Sequence, residues 1–186
     1  MRSQISVLVC GPRKCGKTSL IRRITEKKFL ADSDSNVRVQ ATSTTVSTVD
    51  GRKIRIHFTE EGAEDYIPCS LNVYTYVDYY IIVYDISNQS SLESVKDNCE
   101  NVRRKFRHLS ESVIIVGNKC DMEREIQQKD IEEYAKSEDI AYIETSAKTD
   151  KNVQQMLMLL LSRLYHDTDT KIFVRTTNKS NCCVIT

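Results

Sequence analysis

Residues 11–18 read Gly-Pro-Arg-Lys-Cys-Gly-Lys-Thr, the residue types and spacing of a loop that wraps phosphate. Gly11 and Gly16 permit backbone angles that aim successive N–H groups inward, Lys17 supplies a point charge to the outer phosphates, and Thr18 offers a hydroxyl to magnesium. Arg13, Lys14 and Cys15 fill the loop between the glycines, and Ser19 follows in the first turn of the helix expected next. The positive end of that helix adds to the anion site.

A phosphate loop does not choose a base. Asn118-Lys119-Cys120-Asp121 follows an apolar run directly, which places it at the carboxyl edge of a sheet. The Asp121 carboxylate can accept two hydrogen bonds from adjacent N–H donors, the pair that guanine presents and adenine lacks. Asn118 can tie this loop to the phosphate loop. Ser146-Ala147-Lys148 follows a further short apolar run, and a backbone N–H there could reach the guanine oxygen.

These residues need a sheet to hold them. Residues 5–10, 80–84 and 113–116 are short apolar runs, each ending in polar residues, as in strands buried on both faces of a parallel sheet. Residues 46–59 alternate around Asp50-Gly51, with Ile54, Ile56 and Phe58 on one face, which predicts an antiparallel edge hairpin. Residues 141–143 are a weaker sixth strand. Leu92, Val95, Cys99, Val102 and Phe106 recur at helical spacing, as do Val153, Met156, Leu157, Leu160, Leu161 and Leu164. Segments 17–28 and 129–138 are shorter helical candidates. Strands alternating with helices imply a doubly wound α/β fold.

The order and spacing of residues 11–18, Asn118 to Asp121 and Glu144-Thr145-Ser146-Ala147-Lys148 resemble the Ras superfamily of small GTPases over roughly residues 3–166. The resemblance implies a mostly parallel six-stranded sheet with one antiparallel edge strand and about five helices. It implies GTP or GDP with Mg2+ as ligands and effector proteins as partners. Phe29 would pack against the base and Lys119 run along its edge. The 24 residues between Asp121 and Ser146 leave no room for the extra helix of Rho proteins, so the chain is closer to Ras or Rab.

Both switch segments depart from the family pattern. The threonine that binds magnesium in switch I falls at Asn36 or at Arg38, depending on the direction of counting, and Thr42 is the nearest threonine. Switch II, usually Asp-x-x-Gly-Gln, aligns with Thr59, Glu60, Glu61, Gly62 and Ala63. Thr59 has no carboxylate for the magnesium shell, and Ala63 no amide to orient water, although Gly62 keeps an N–H for a γ-phosphate. Neighbours such as Glu60 or Glu61 could substitute. Arg13 stands where family members that accept a partner's arginine have glycine. A weakened magnesium site and slow hydrolysis are expected. The alternatives are a pseudo-GTPase that presents a fixed effector surface and, disfavoured because it leaves Asn118 to Asp121 without a role, a nucleotide kinase.

The 186 residues suit one domain over 1–166 and a polar tail over 167–186. A net charge of +1 gives no field to attract nucleic acid, and a monomer is expected. Seven scattered cysteines without zinc spacing read as reduced thiols. The chain ends Cys182-Cys183-Val184-Ile185-Thr186, so Cys183 fits a prenylation pattern and Cys182 offers a second lipid site. One lipid anchors weakly, and Lys171, Arg175 and Lys179 are a thin basic supplement. The expected location is the cytosolic face of a membrane.

Overall fold

The computed structural model describes residues 3–29, 41–47, 53–61, 77–104 and 112–164. Six strands form one sheet in the order β2-β3-β1-β4-β5-β6: β1 Gln4–Cys10, β2 Ala41–Ser47, β3 Lys53–Glu60, β4 Tyr79–Asp85, β5 Val113–Asn118 and β6 Ala141–Glu144. Every neighbouring pair is parallel except β2 with β3, as the sequence predicts.

The apolar runs form the middle of the sheet because both of its faces are covered. On β4, Tyr79, Ile81 and Val83 enter one core with Ile114 and Val116 of β5, while Tyr80, Ile82 and Tyr84 enter the other with Val113 and Ile115. The first core also holds Leu20, Ile21 and Ile24 of helix α1 (Lys17–Glu26) and Met156, Leu157, Leu160 and Leu161 of α4 (Val153–Leu164). The second holds Val95, Cys99 and Val102 of α2 (Ser90–Arg103) and Ile131 and Ala135 of α3 (Gln128–Ser137). Each fully buried Val, Leu or Ile stabilises such a core by about 1.5–3 kcal/mol relative to an exposed one.

The described residues hold four helices where about five were expected. Helix α1 stops two residues early because Lys27 turns left-handed, with φ 59°. Strand β2 begins at Ala41 rather than near Val46, with Thr42 opposite Phe58. Its Thr and Ser residues suit an edge whose outer row faces solvent, and hydrophobic alternation alone underestimates such a strand. The Asp50-Gly51 turn, Phe106 and the tail over 167–186 lie outside the described residues. No described helix is long and apolar enough to cross a membrane.

The topology brings the ends of β1, β3, β4, β5 and β6 to one edge. Gly11, Glu60, Asp85, Asn118 and Thr145 stand there, at the carboxyl ends of parallel strands where ligands bind in this class of sheet.

Candidate functional site

The loop after β1 bends at Gly11, with φ 139°, where an added Cβ would stand 2.0 Å from the Val83 carbonyl oxygen. Gly16, with φ 92°, caps α1, and its missing side chain leaves room for Asn118, whose Nδ2 would lie 2.3 Å from a Cβ. No side chain caps α1 and its first turn carries no acid, so its N-terminal field is left for an anion. Between the glycines, Lys14 adopts φ 64°, a left-handed conformation that costs a non-glycine residue on the order of 1 kcal/mol. Arg13 and Lys14 are exposed.

Lys17 is buried, and its Nζ donates to the carbonyls of Gly11 and Pro12 at 2.9 and 3.0 Å. An ammonium has three protons, so these bonds aim the side chain across the loop and leave one for phosphate. Cys15 is buried beside it. Burial pushes the thiol up to about 11 against the opposing pull of the Lys17 cation, which keeps it neutral and unreactive.

Asn118 joins the phosphate loop to the loop after β6. Its Nδ2 donates to the Cys15 carbonyl at 2.9 Å, and its Oδ1 accepts the Ala147 N–H at 3.2 Å and the Thr145 hydroxyl at 3.4 Å. The tie expected from sequence is therefore present. The Ser146 hydroxyl donates to Asp121 Oδ1 at 2.6 Å and accepts the Thr149 N–H, which orients the carboxylate. Lys148 Nζ lies 3.9 Å from the other oxygen of Asp121. Of the loop amides, that of Ser146 bonds to the Lys151 carbonyl and that of Ala147 to Asn118. Lys148 supplies the next N–H along.

Sequence reasoning missed three supports of this arrangement. Asp85, buried at the end of β4, pairs with Lys119 at 2.6 Å and accepts both the N–H and the hydroxyl of Ser87. An acid closing a run of apolar residues was its signal. Arg23 of α1 donates to the carbonyls of Ala147 at 2.7 Å and Lys148 at 3.0 Å, clamping the loop from 124 and 125 residues away in sequence. Arg124 makes two bonds, of 2.8 and 2.6 Å, to Glu144 at the start of that loop. Burial alone would raise the Glu144 pKa, but hydrogen bonds from Arg124 and Tyr142 outweigh it and hold the carboxyl below its ordinary value.

At the end of β3 the Thr18 hydroxyl lies 2.8 and 2.7 Å from the two carboxylate oxygens of Glu60. Two hard oxygen donors thus meet beside the phosphate loop. That chemistry fits magnesium, which takes few protein ligands and shares its shell with phosphate and water. Thr18 and Glu60 are the residues that could hold it. Ser19 is half-buried in α1, and Phe29 is 37% exposed beyond the helix. Asn36, Arg38, Gly62, Ala63, Cys182 and Cys183 lie outside the described residues.

A model of the Ras family matches residues 6–166. The chain belongs to the Ras family. Among relatives of this Ras-family chain, the human Ras-related protein Rab-30 is 30% identical over 163 residues, covering 85% of this chain and 78% of the relative. Ras-related protein YPTC6 of Chlamydomonas reinhardtii is 28% identical over 171 residues, covering 89% and 77%. Ras-related protein RABA2a of Arabidopsis thaliana is 28% identical over 164 residues, covering 86% and 74%. The chain is thus a Rab-like small GTPase of the Ras family, a class that binds GTP or GDP with Mg2+ and meets effector proteins in signalling or vesicle traffic.

Proposed function

We propose that this chain is a membrane-tethered guanine-nucleotide switch that hydrolyses GTP slowly. The observation that carries the nucleotide site is the set of bonds made by Asn118, which locks the phosphate loop and the loop after β6 into one frame. On this reading the loop of Gly11, Arg13, Lys14, Cys15, Gly16, Lys17, Thr18 and Ser19 takes the phosphates through its backbone N–H groups and the Lys17 and Thr18 side chains. Lys119, Asp121, Ser146, Ala147 and Lys148 face the base, with Phe29 on its open side. By its place in the switch II pattern, Gly62 would offer its N–H to the γ-phosphate.

Slow hydrolysis rests on Ala63, which stands at the usual glutamine position and cannot orient water, and on exposed Arg13, whose bulk and charge oppose an incoming arginine. A loss of only about 1.4 kcal/mol of transition-state stabilisation slows turnover tenfold. Tethering rests on Cys183, with Cys182 as a second lipid site. The second reading, a pseudo-GTPase that presents a fixed surface, is favoured by the same two departures at Ala63 and Arg13.

Nucleotide extracted from protein purified from cells and identified by chromatography separates the readings. GDP or GTP in near-stoichiometric amount is expected, whereas its absence together with no uptake on addition would leave the pseudo-GTPase. In single-turnover cleavage of GTP, Ala63→Gln should be about tenfold faster than the natural chain, and equal rates would remove the slow-hydrolysis claim. Intact mass of the natively expressed chain should show a prenyl group, and an unmodified mass would remove the tether.

A further inference from the structure

We infer that Glu60 supplies the switch II carboxylate that supports magnesium in this chain, one residue beyond the position where the family pattern places it. The inference rests on the guanine-nucleotide reading above and concerns which side chain serves the metal. Alignment by residue type puts Thr59 at the aspartate position and leaves the metal shell without an acid. The pleat of β3 decides otherwise. Ile54, Ile56 and Phe58 point into the core shared with α1, and period two puts Glu60 on that same face and Thr59 on the opposite one.

The register leaves no freedom to exchange them. Strand β1 pairs with β3 without a break from Gln4 opposite Arg55 to Val9 opposite Glu60, and the Glu61 N–H continues the ladder to the Val9 carbonyl at 3.0 Å. A one-residue slip would turn Ile54, Ile56 and Phe58 out of the core, at a cost of several kcal/mol. Thr18 stands in the first turn of α1, over the face that Glu60 occupies. Its hydroxyl proton is taken by the carboxylate, at 2.8 and 2.7 Å from the two oxygens, which leaves the hydroxyl lone pairs for a cation. Glu60 can then meet that cation directly or through one of its waters.

The test follows the release of a fluorescent GDP analogue from the full chain as free Mg2+ is raised from zero, each variant's rate in EDTA serving as its own reference. Mg2+ should slow release from the natural chain, and Glu60→Gln should move the half-effective Mg2+ concentration upward by roughly tenfold or more. Glu60→Asp, which keeps the charge, should lie nearer the natural chain. Adding Thr59→Asp to Glu60→Gln should not restore the Mg2+ effect, because its carboxylate is on the wrong pleat. Mn2+ bound to the GDP complex, read by electron paramagnetic resonance, should weaken in the same order, and circular dichroism checks that each variant is folded.

An unchanged half-effective concentration in Glu60→Gln overturns the inference. So does a lower one, which would make Glu60 a block to the metal, or recovery through Thr59→Asp. Failure of the natural chain to take up the GDP analogue at any Mg2+ concentration would instead overturn the nucleotide reading and this inference with it. That result is distinct from GDP binding with a Mg2+ effect indifferent to Glu60.

Discussion

In the proposed guanine site, Asp121 has one carboxylate to divide between its own protein and a base. Ser146 takes one oxygen at 2.6 Å and fixes the plane of the group, so the remaining lone pairs are already aimed when the ligand arrives. Such preorganisation makes selectivity steep, because a mismatched base leaves a charged acceptor unpaired. Asp121→Asn should weaken GDP by about 10²–10⁴, the loss of two bonds to a charged acceptor at roughly 1.5–3 kcal/mol each. It should favour xanthosine diphosphate, whose base edge carries an acceptor at the corresponding place. Competition between the two nucleotides at equilibrium measures this, and unchanged GDP affinity would count against the base site as a whole.

Helix α1 does more than present its N-terminus to phosphate. Its first turn carries Lys17 and Thr18, its buried stripe of Leu20, Ile21 and Ile24 seats it on the sheet, and Arg23 reaches sideways to the loop after β6. The phosphate loop and the loop after β6 are therefore coupled through one rigid element as well as through Asn118. Arg23→Ala should leave the helix intact, since alanine is the better helix former, but release the carbonyls of Ala147 and Lys148. GDP dissociation should then accelerate by about tenfold, the loss of roughly 1–2 kcal/mol of loop restraint. Stopped-flow release of a fluorescent GDP analogue reads this. If the rate stays within about twofold of the natural chain, the clamp has no part in holding the base loop.

Stability of the whole molecule should carry the signature of the Glu144 pair. The folded pKa of Glu144 lies below its ordinary value of 4.5, so its contribution is fully present above that value and is lost as pH falls through the lowered folded one. Glu144→Gln should reduce stability near neutrality by about 2 kcal/mol, which for a domain of this size is roughly 4–8 °C in Tm. The gap between natural chain and variant should close in more acid buffer. Thermal melts across pH give the answer, and a gap that does not narrow at all as pH falls below the ordinary carboxyl range would assign the loss to packing rather than charge.

The motifs of the candidate site were legible in sequence because each is local: the phosphate loop, Asn118 to Asp121, and Ser146 to Lys148 each follow the strand that presents them. The sheet was legible for a similar reason, since runs such as that at 113–116 must be buried on both faces and alternation at Ile54, Ile56 and Phe58 must not. Local pattern could not show which distant groups meet. Arg23 and Ala147, or Lys119 and Asp85, become neighbours only when crossovers bring the strand ends to one edge. Nor could it choose between Glu60 and Glu61 as a stand-in for the missing switch II acid. Counting along a motif treats the chain as a line, and by that count Thr59 holds the metal position. In the folded protein a strand has two faces, and burial of Phe58 against α1 carries Glu60, not Thr59, to the hydroxyl of Thr18.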